Sequence, residues 1–184
     1  MALDLASQES VAGFARDFQR RFKRLDVLVN NAGVMPRKRQ VTKDGFELQF
    51  GVNHLGGYRL TLELLDVLKR SAPSRVVVVS SVMHHRGRIN FEDLQTEKQY
   101  RWSTAYGQSK LANVMFTRAL ARRLDGSGVT ANCLHPGVVR TNIARDLPLI
   151  VKPLAAAFMY LVLSPAKGAR TSVYLASSPE VDGV

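Results

Sequence analysis

Tyr106 and Lys110 stand four residues apart in a segment of helical period, which puts both side chains on one helix face. A phenol that titrates near pH ~10 is a poor proton-transfer group at neutral pH. An ammonium held ~4 Å away, at an effective dielectric of about 20, stabilises the phenolate by up to about 4 kcal/mol, roughly three pKa units. Such a pair can exchange a proton with a substrate oxygen near working pH. Alone, Tyr-x-x-x-Lys is a common chance pairing whose ordinary meaning is a solvated surface pair. Two upstream residues give it company. Ser81 closes a valine-rich run, where its hydroxyl can bond a substrate oxygen or serve simple turn chemistry. Asn53 lies in Gly51-Val-Asn-His-Leu55, within a helical period that intrinsically disfavours asparagine. A buried amide there holds either a water or local backbone. His54, His84 and His85 have no acid or cysteine at metal-ligand spacing, so no metal site is expected.

The elements that must position these groups alternate in period. Residues 25–30 form a short β-branched run ending in the turn Asn30-Asn-Ala-Gly33. Residues 75–80 are almost continuously apolar, as in a strand covered on both faces, and 129–134 are a third such run stopping at His135-Pro-Gly137. Between the strands, Ser7 can cap a helix to about Phe22 with Val11, Phe14, Ala15 and Phe18 on one face. Residues 45–71 read as one long apolar-periodic helical stretch, and 103–124 as another, punctuated by Gly126-Ser-Gly128. This alternation implies an α/β fold, a parallel sheet with helices on both sides, in a single domain spanning 1–184. Ligands of such sheets bind beyond the carboxyl ends of the strands, where the Asn-rich, Ser-rich and Pro-Gly turns all fall.

Bulk composition narrows the class. The chain has 184 residues, enough for one real core, and 46% of them are hydrophobic, which excludes a disordered chain. The single cysteine, Cys133, excludes an internal disulfide, reads as a buried inert thiol and fits an intracellular, reducing compartment. The net charge of +11 comes from clusters such as Arg20-Arg-Phe-Lys-Arg24 and Arg37-Lys-Arg39. No aromatic platform or reader motif accompanies them, so they read as solvated helix faces and no nucleic-acid partner is expected. No signal peptide is expected from Met1-Ala-Leu-Asp4, and the apolar stretch 147–163 is broken by Pro148, Lys152 and Pro153.

Five strings carry a resemblance: Asn30-Asn-Ala-Gly33, Val52-Asn-His-Leu-Gly56, Val79-Ser-Ser81, Tyr106-Gly-Gln-Ser-Lys110 and His135-Pro-Gly-Val-Val-Arg-Thr141. In order and spacing they resemble the short-chain dehydrogenases/reductases over nearly the whole chain. Ser109-Lys-Leu-Ala-Asn113 and Gly126-Ser-Gly-Val-Thr130 resemble its retinol-dehydrogenase-like branch. The resemblance implies a Rossmann-like doubly wound sheet and an NAD(P)(H)-dependent oxidoreductase interconverting an apolar alcohol and a carbonyl. It favours NADP(H) over NAD(H). It assigns Tyr106 as acid/base, Lys110 as the group that lowers the tyrosine pKa and holds ribose hydroxyls, Ser81 as the residue orienting the carbonyl, and Asn53 as the holder of a linking water. Asp4 would contact adenine, Asn30 and Gly33 would line the cofactor cleft, and Pro136, Gly137, Val139 and Thr141 would lie at the nicotinamide. Segment 147–163 falls where the family has a substrate lid. Homo-oligomers and membrane association of the full-length protein are compatible with the branch.

The family's Thr-Gly-x-x-x-Gly-x-Gly phosphate loop does not occur among the 13 glycines. The expected reading is a chain lacking the first βαβ unit and the last strand, a fragment or truncated isoform that binds nicotinamide cofactor poorly. In the family order 3-2-1-4-5-6-7, residues 2–5 and 25–30 would then lack strand partners and leave an exposed edge. The alternative function is a non-catalytic isoform or fragment acting as a binding or interaction protein.

Overall fold

The computed structural model describes residues 1–139 and 163–183. Three parallel strands lie side by side in chain order, β1 (Val27–Asn30), β2 (Ser74–Val79) and β3 (Val129–Leu134). Asn30 is in register with Val78, and Val78 with Cys133, so the three carboxyl ends share one edge. β2 is central, and its valines are buried on both faces, which explains why they do not alternate with polar residues.

Helices flank both sides of this sheet. Val76 and Val78 pack on Leu68 of α4 (Leu65–Arg70) and Leu120 of α5 (Trp102–Arg123). On the opposite face, Arg75 donates to the Leu175 and Ser178 carbonyls at 3.0 and 2.8 Å and pairs with Asp182. Those contacts anchor the last helix, α6 (Pro165–Ser177), against the strands. The sheet is therefore doubly wound. A second core joins α1 (Gln8–Arg21) to α3 (Gly57–Glu63) through Val11, Ala15, Leu60 and Leu64. Ser7 caps α1 as expected, its hydroxyl accepting the Ser10 N–H at 3.2 Å.

Segment 45–71 departs from the single helix expected of it. Gly45 has φ +83° in a tight turn, so the helix begins only at α2 (Leu48–Phe50). A π-helical turn, Gly51–Gly56, follows, then α3, a kink at Leu64 (φ −99°, ψ 3°) and α4. Close backbone approach drives the irregularity. A Cβ on Gly56 would lie 2.6 Å from the Leu5 carbonyl oxygen, and one on Gly51 would lie 2.5 Å from Thr42 Cγ2.

Residues 2–5, expected to behave as a strand, form none. The Asp4 N–H donates to Ser10 Oγ and the Asp4 carbonyl accepts the Ser7 N–H, so local bonds that lead into α1 satisfy this backbone. Among the described residues β1 pairs with β2 alone, and Val29 is 42% exposed. The basic clusters face solvent at Arg20, Arg24, Arg37, Lys38, Arg118, Arg122 and Arg123, whereas Arg39 is half-buried and donates to the Gln95 carbonyl at 3.1 Å. Among the described residues no helix is long and apolar enough to cross a membrane.

Candidate active site

The carboxyl edge of β2 is where the chemistry-bearing residues meet. After Val79 the chain turns through Ser80 and Ser81 into a 3-10 turn, Val82–Arg86. Ser80 fastens this edge to α5, its hydroxyl donating to the Lys110 carbonyl at 2.8 Å while its N–H donates to the Leu134 carbonyl at 2.7 Å. Ser81 caps the 3-10 turn, accepting the Met83 N–H at 3.3 Å. The same side chain lies beside the Tyr106 phenol, close enough to favour the phenolate. The turn role read for Ser81 in the sequence is thus present.

Two glycines let this turn reach the helix. A Cβ on Gly87 would fall 2.3 Å from the Gly107 carbonyl oxygen, and one on Gly107 would fall 3.1 Å from the Met83 carbonyl oxygen. The backbones that carry Ser81 and Tyr106 therefore touch without intervening side chains.

Lys110 is 3% exposed and lies one helical turn from Tyr106. Its Nζ sits 5.6 Å from the Tyr106 ring centroid and donates to the Val79 carbonyl at 3.0 Å. Burial pulls the amine down to about 8. The same burial raises Tyr106 above the ordinary phenol value, with the Ser81 hydrogen bond opposing it. This corrects the expectation that the ammonium brings the tyrosine down. Removing the phenol from water penalises phenolate, and that penalty sets the net direction.

Asn53 lies in the π turn and is 5% exposed. Its Oδ1 accepts the Val34 N–H at 2.7 Å, and its Nδ2 donates to the Val34 carbonyl at 3.0 Å and to Ser109 Oγ at 3.1 Å. Ser109 Oγ in turn donates to the Tyr106 carbonyl at 2.8 Å. The amide thus holds the turn after β1 against the Tyr106 helix. π turns recur at functional positions because they re-aim one side chain out of helical register.

Of the residues assigned to a cofactor, Asn30 ends β1 and donates its amide to Thr61 Oγ1 at 2.8 Å. Gly33 passes over the site: a Cβ there would meet Asn53 Oδ1 at 3.4 Å and Lys110 Nζ at 3.6 Å. Asp4 is exposed at the entrance to α1, its Oδ1 accepting the Ala6 N–H at 2.9 Å. Pro136 and Gly137 follow β3 on the same sheet edge, Gly137 at φ +79°, and Val139 bridges to Leu163. Thr141, and residues 147–162 of the expected lid, lie outside the described residues. The cradle suits a hydroxylated ligand. Lys110 can donate three hydrogen bonds and makes one to a described acceptor, Val79 O, beside a glycine that leaves room above the amine.

Sequence reasoning gave no role to Ser80, Ser109 or Asn113, the last of which is 4% exposed and donates to the Asn53 and Val79 carbonyls. The available signal was a polar stripe on a helix face that must pack on a sheet: Tyr106, Ser109, Lys110, Asn113 and Thr117 follow the i, i+3, i+4, i+7 pattern closely.

Comparison with known proteins adds an independent line. A family model described as short chain dehydrogenase matches residues 1–149. The chain is 56% identical over 185 residues to retinol dehydrogenase 14 of Homo sapiens, covering 99% of the chain and 55% of that protein. It is 49% identical over 188 residues to retinol dehydrogenase 13 of Homo sapiens, covering 99% and 57%. The chain therefore spans a little over half the length of the curated relatives it matches. A crystal structure from Beutenbergia cavernae, named for an NAD(P) dependent gluconate 5-dehydrogenase and carrying bound NADP at low occupancy, superposes with a TM-score of 0.71 at 29% identity, covering 96% of this chain and 68% of the other.

Proposed function

The chain belongs to the short-chain dehydrogenase family, and from that premise we propose that it carries the proton-transfer half of an NAD(P)(H)-dependent oxidoreductase acting on an apolar alcohol or carbonyl. One observation carries the reading. A half-buried phenol, Tyr106, has the Ser81 side chain beside it and lies one turn from the buried ammonium of Lys110 at the carboxyl edge of a parallel sheet.

A nicotinamide cofactor supplies or accepts the hydride. Everything else falls to the chain. In reduction Ser81 Oγ orients the carbonyl oxygen, and Tyr106 Oη gives that oxygen its proton as hydride reaches the carbon. Lys110, fixed by the Val79 carbonyl, steadies the resulting phenolate and presents its remaining N–H groups to ribose hydroxyls. Gly33 leaves the space for that approach, and Pro136, Gly137 and Val139 would hold the nicotinamide end. Burial favours the neutral phenol, the protonation state from which Tyr106 gives its proton in carbonyl reduction. Resemblance to retinol dehydrogenases supports a retinoid-like substrate and, by branch, NADP(H).

A second reading, a non-catalytic chain that pairs with a partner, is favoured by a different observation: among the described residues one side of β1 has no strand beside it, and Val29 is exposed there. Thermal-shift titration with NADPH separates the two. The first reading expects a rise in melting temperature that Lys110→Met removes, and oxidation of NADPH by all-trans-retinal that Tyr106→Phe lowers by about 10²–10⁴-fold. No shift at millimolar NADPH supports the second reading.

A further inference from the structure

Asn113 shares the helix face of Tyr106 and Lys110, and the proposed chemistry leaves it without a part. Its Nδ2 donates to the Asn53 carbonyl at 2.9 Å and to the Val79 carbonyl at 3.3 Å. The second acceptor is the same oxygen that Lys110 Nζ holds at 3.0 Å. Two carbonyl partners decide which end of the amide is nitrogen, because an amide oxygen turned toward them would be repelled and unpaired. Asn113 Oδ1 therefore faces His54 Nδ1 at 3.0 Å, and that nitrogen must carry a proton. His54 sits among the rings of Phe50, Tyr58 and Phe116, with centroids 5.3, 5.9 and 6.2 Å away. Burial there holds the imidazole below its ordinary pKa, so the neutral Nδ1–H tautomer is the form present near pH 7.

Resting on the reading of Tyr106 and Lys110 given above, we infer that Asn113 is a positioning residue for that pair. It ties the end of β2, the π turn and α5 into one hydrogen-bonded unit, and His54 fixes the direction of its amide. Val79 O is the acceptor that locates the Lys110 amine, so a displacement of this carbonyl moves the ammonium relative to the Tyr106 ring. The same side chain grips the Asn53 backbone, so one amide sets the spacing of both elements that face the phenol.

Three variants test this: Asn113→Leu, which keeps volume without donors, His54→Phe, which keeps the ring contacts without Nδ1–H, and the two combined. With NADPH and all-trans-retinal, Asn113→Leu is expected to lower kcat about 10–100-fold with KM changed less than about threefold. His54→Phe is expected to lower kcat less. The double variant should be no worse than Asn113→Leu, because His54 acts only through Asn113. Losses that multiply, or a change confined to KM, overturn the inference. A second arm needs no turnover. By 15N NMR native His54 must show the Nδ1–H tautomer, and in Asn113→Asp both the His54 and Lys110 titrations must move up by about a unit or more. An Nε2–H tautomer, or a Lys110 midpoint indifferent to the new carboxylate, overturns the inference whether or not the chain turns over cofactor. Inactivity of the native chain alongside a positive second arm counts against the proposed function and leaves this hydrogen-bonded unit standing.

Discussion

Lys110→Met is expected to stabilise the fold at neutral pH while removing the cation on which the site depends. Burial lowers Lys110 from 10.5 to about 8, a displacement equivalent to about 3 kcal/mol at 1.36 kcal/mol per unit. The sign follows from proton binding. Between about pH 8 and pH 10.5 the unfolded chain holds this proton and the folded chain has released it, so stability rises with pH across that window. Below about pH 8 the fold bears the whole penalty of an ammonium held out of water. Methionine is unbranched, similar in length and uncharged, and it removes that penalty. It also forfeits the bond to the Val79 carbonyl, which keeps the Asn113 amide at 3.3 Å, a loss of about 1 kcal/mol. The net gain at pH 7 is about 2 kcal/mol, or roughly 4–8 °C in melting temperature for a chain of this size. At pH 10 most of the gain should vanish, because native Lys110 is then neutral in the fold and only about half a unit remains to its unfolded value of 10.5. Circular-dichroism melts of both proteins at pH 7 and pH 10 measure this directly. A variant that melts below the native chain at pH 7, or a difference that does not change with pH, refutes the reasoning. Either result would mean that Lys110 is stabilised by its surroundings rather than burdened by them.

Gly87→Ala places a Cβ 2.3 Å from the Gly107 carbonyl oxygen; the forced displacement should cost about 1–3 kcal/mol and lower kcat more than it raises KM. An unaltered melting temperature would contradict that contact. The pH profile should show reductive kcat level to about pH 8 and falling above it, as Lys110 loses the proton that steadies the Tyr106 phenolate. Oxidative turnover should instead climb with pH, since it needs the phenolate that burial disfavours. A reductive decline that begins below pH 7 would assign the controlling titration to another group.

Elements governed by one local period were legible in the sequence. Helix α5 begins one residue before the segment read for it, β3 matches its run, and Ser7 caps α1 as its position implied. Segment 45–71 failed because its shape is set from outside. Leu5 and Thr42 press against Gly56 and Gly51, and neither contact is visible in a hydrophobic pattern. Residues 2–5 failed for a related reason, since a strand is defined by its neighbour and these residues satisfy their backbone locally. The spacing of Tyr106 and Lys110 was readable because it is a property of a single helix. The placement of Ser81 beside Tyr106 needed the docking of Gly87 on Gly107, which tertiary packing alone supplies.

The pKa of Tyr106 shows why spacing is not sufficient for chemistry. From sequence, a nearby ammonium argues for a lowered phenol pKa, because the charge is known and the burial is not. In the fold both groups are taken out of water, and desolvation pushes each toward its neutral form: the phenol upward, the amine down to about 8. Lys110 then stays charged at pH 7 by only about one unit, while burial holds Tyr106 in its neutral form. The residue with a proton to give is the phenol, and the residue whose charge limits the site is the lysine. A site built this way rests with its proton on the phenol and its charge on the amine. The hydrogen bonds that hold the lysine, from Val79 through Asn113 to His54, are therefore where small structural changes should register most strongly in rate.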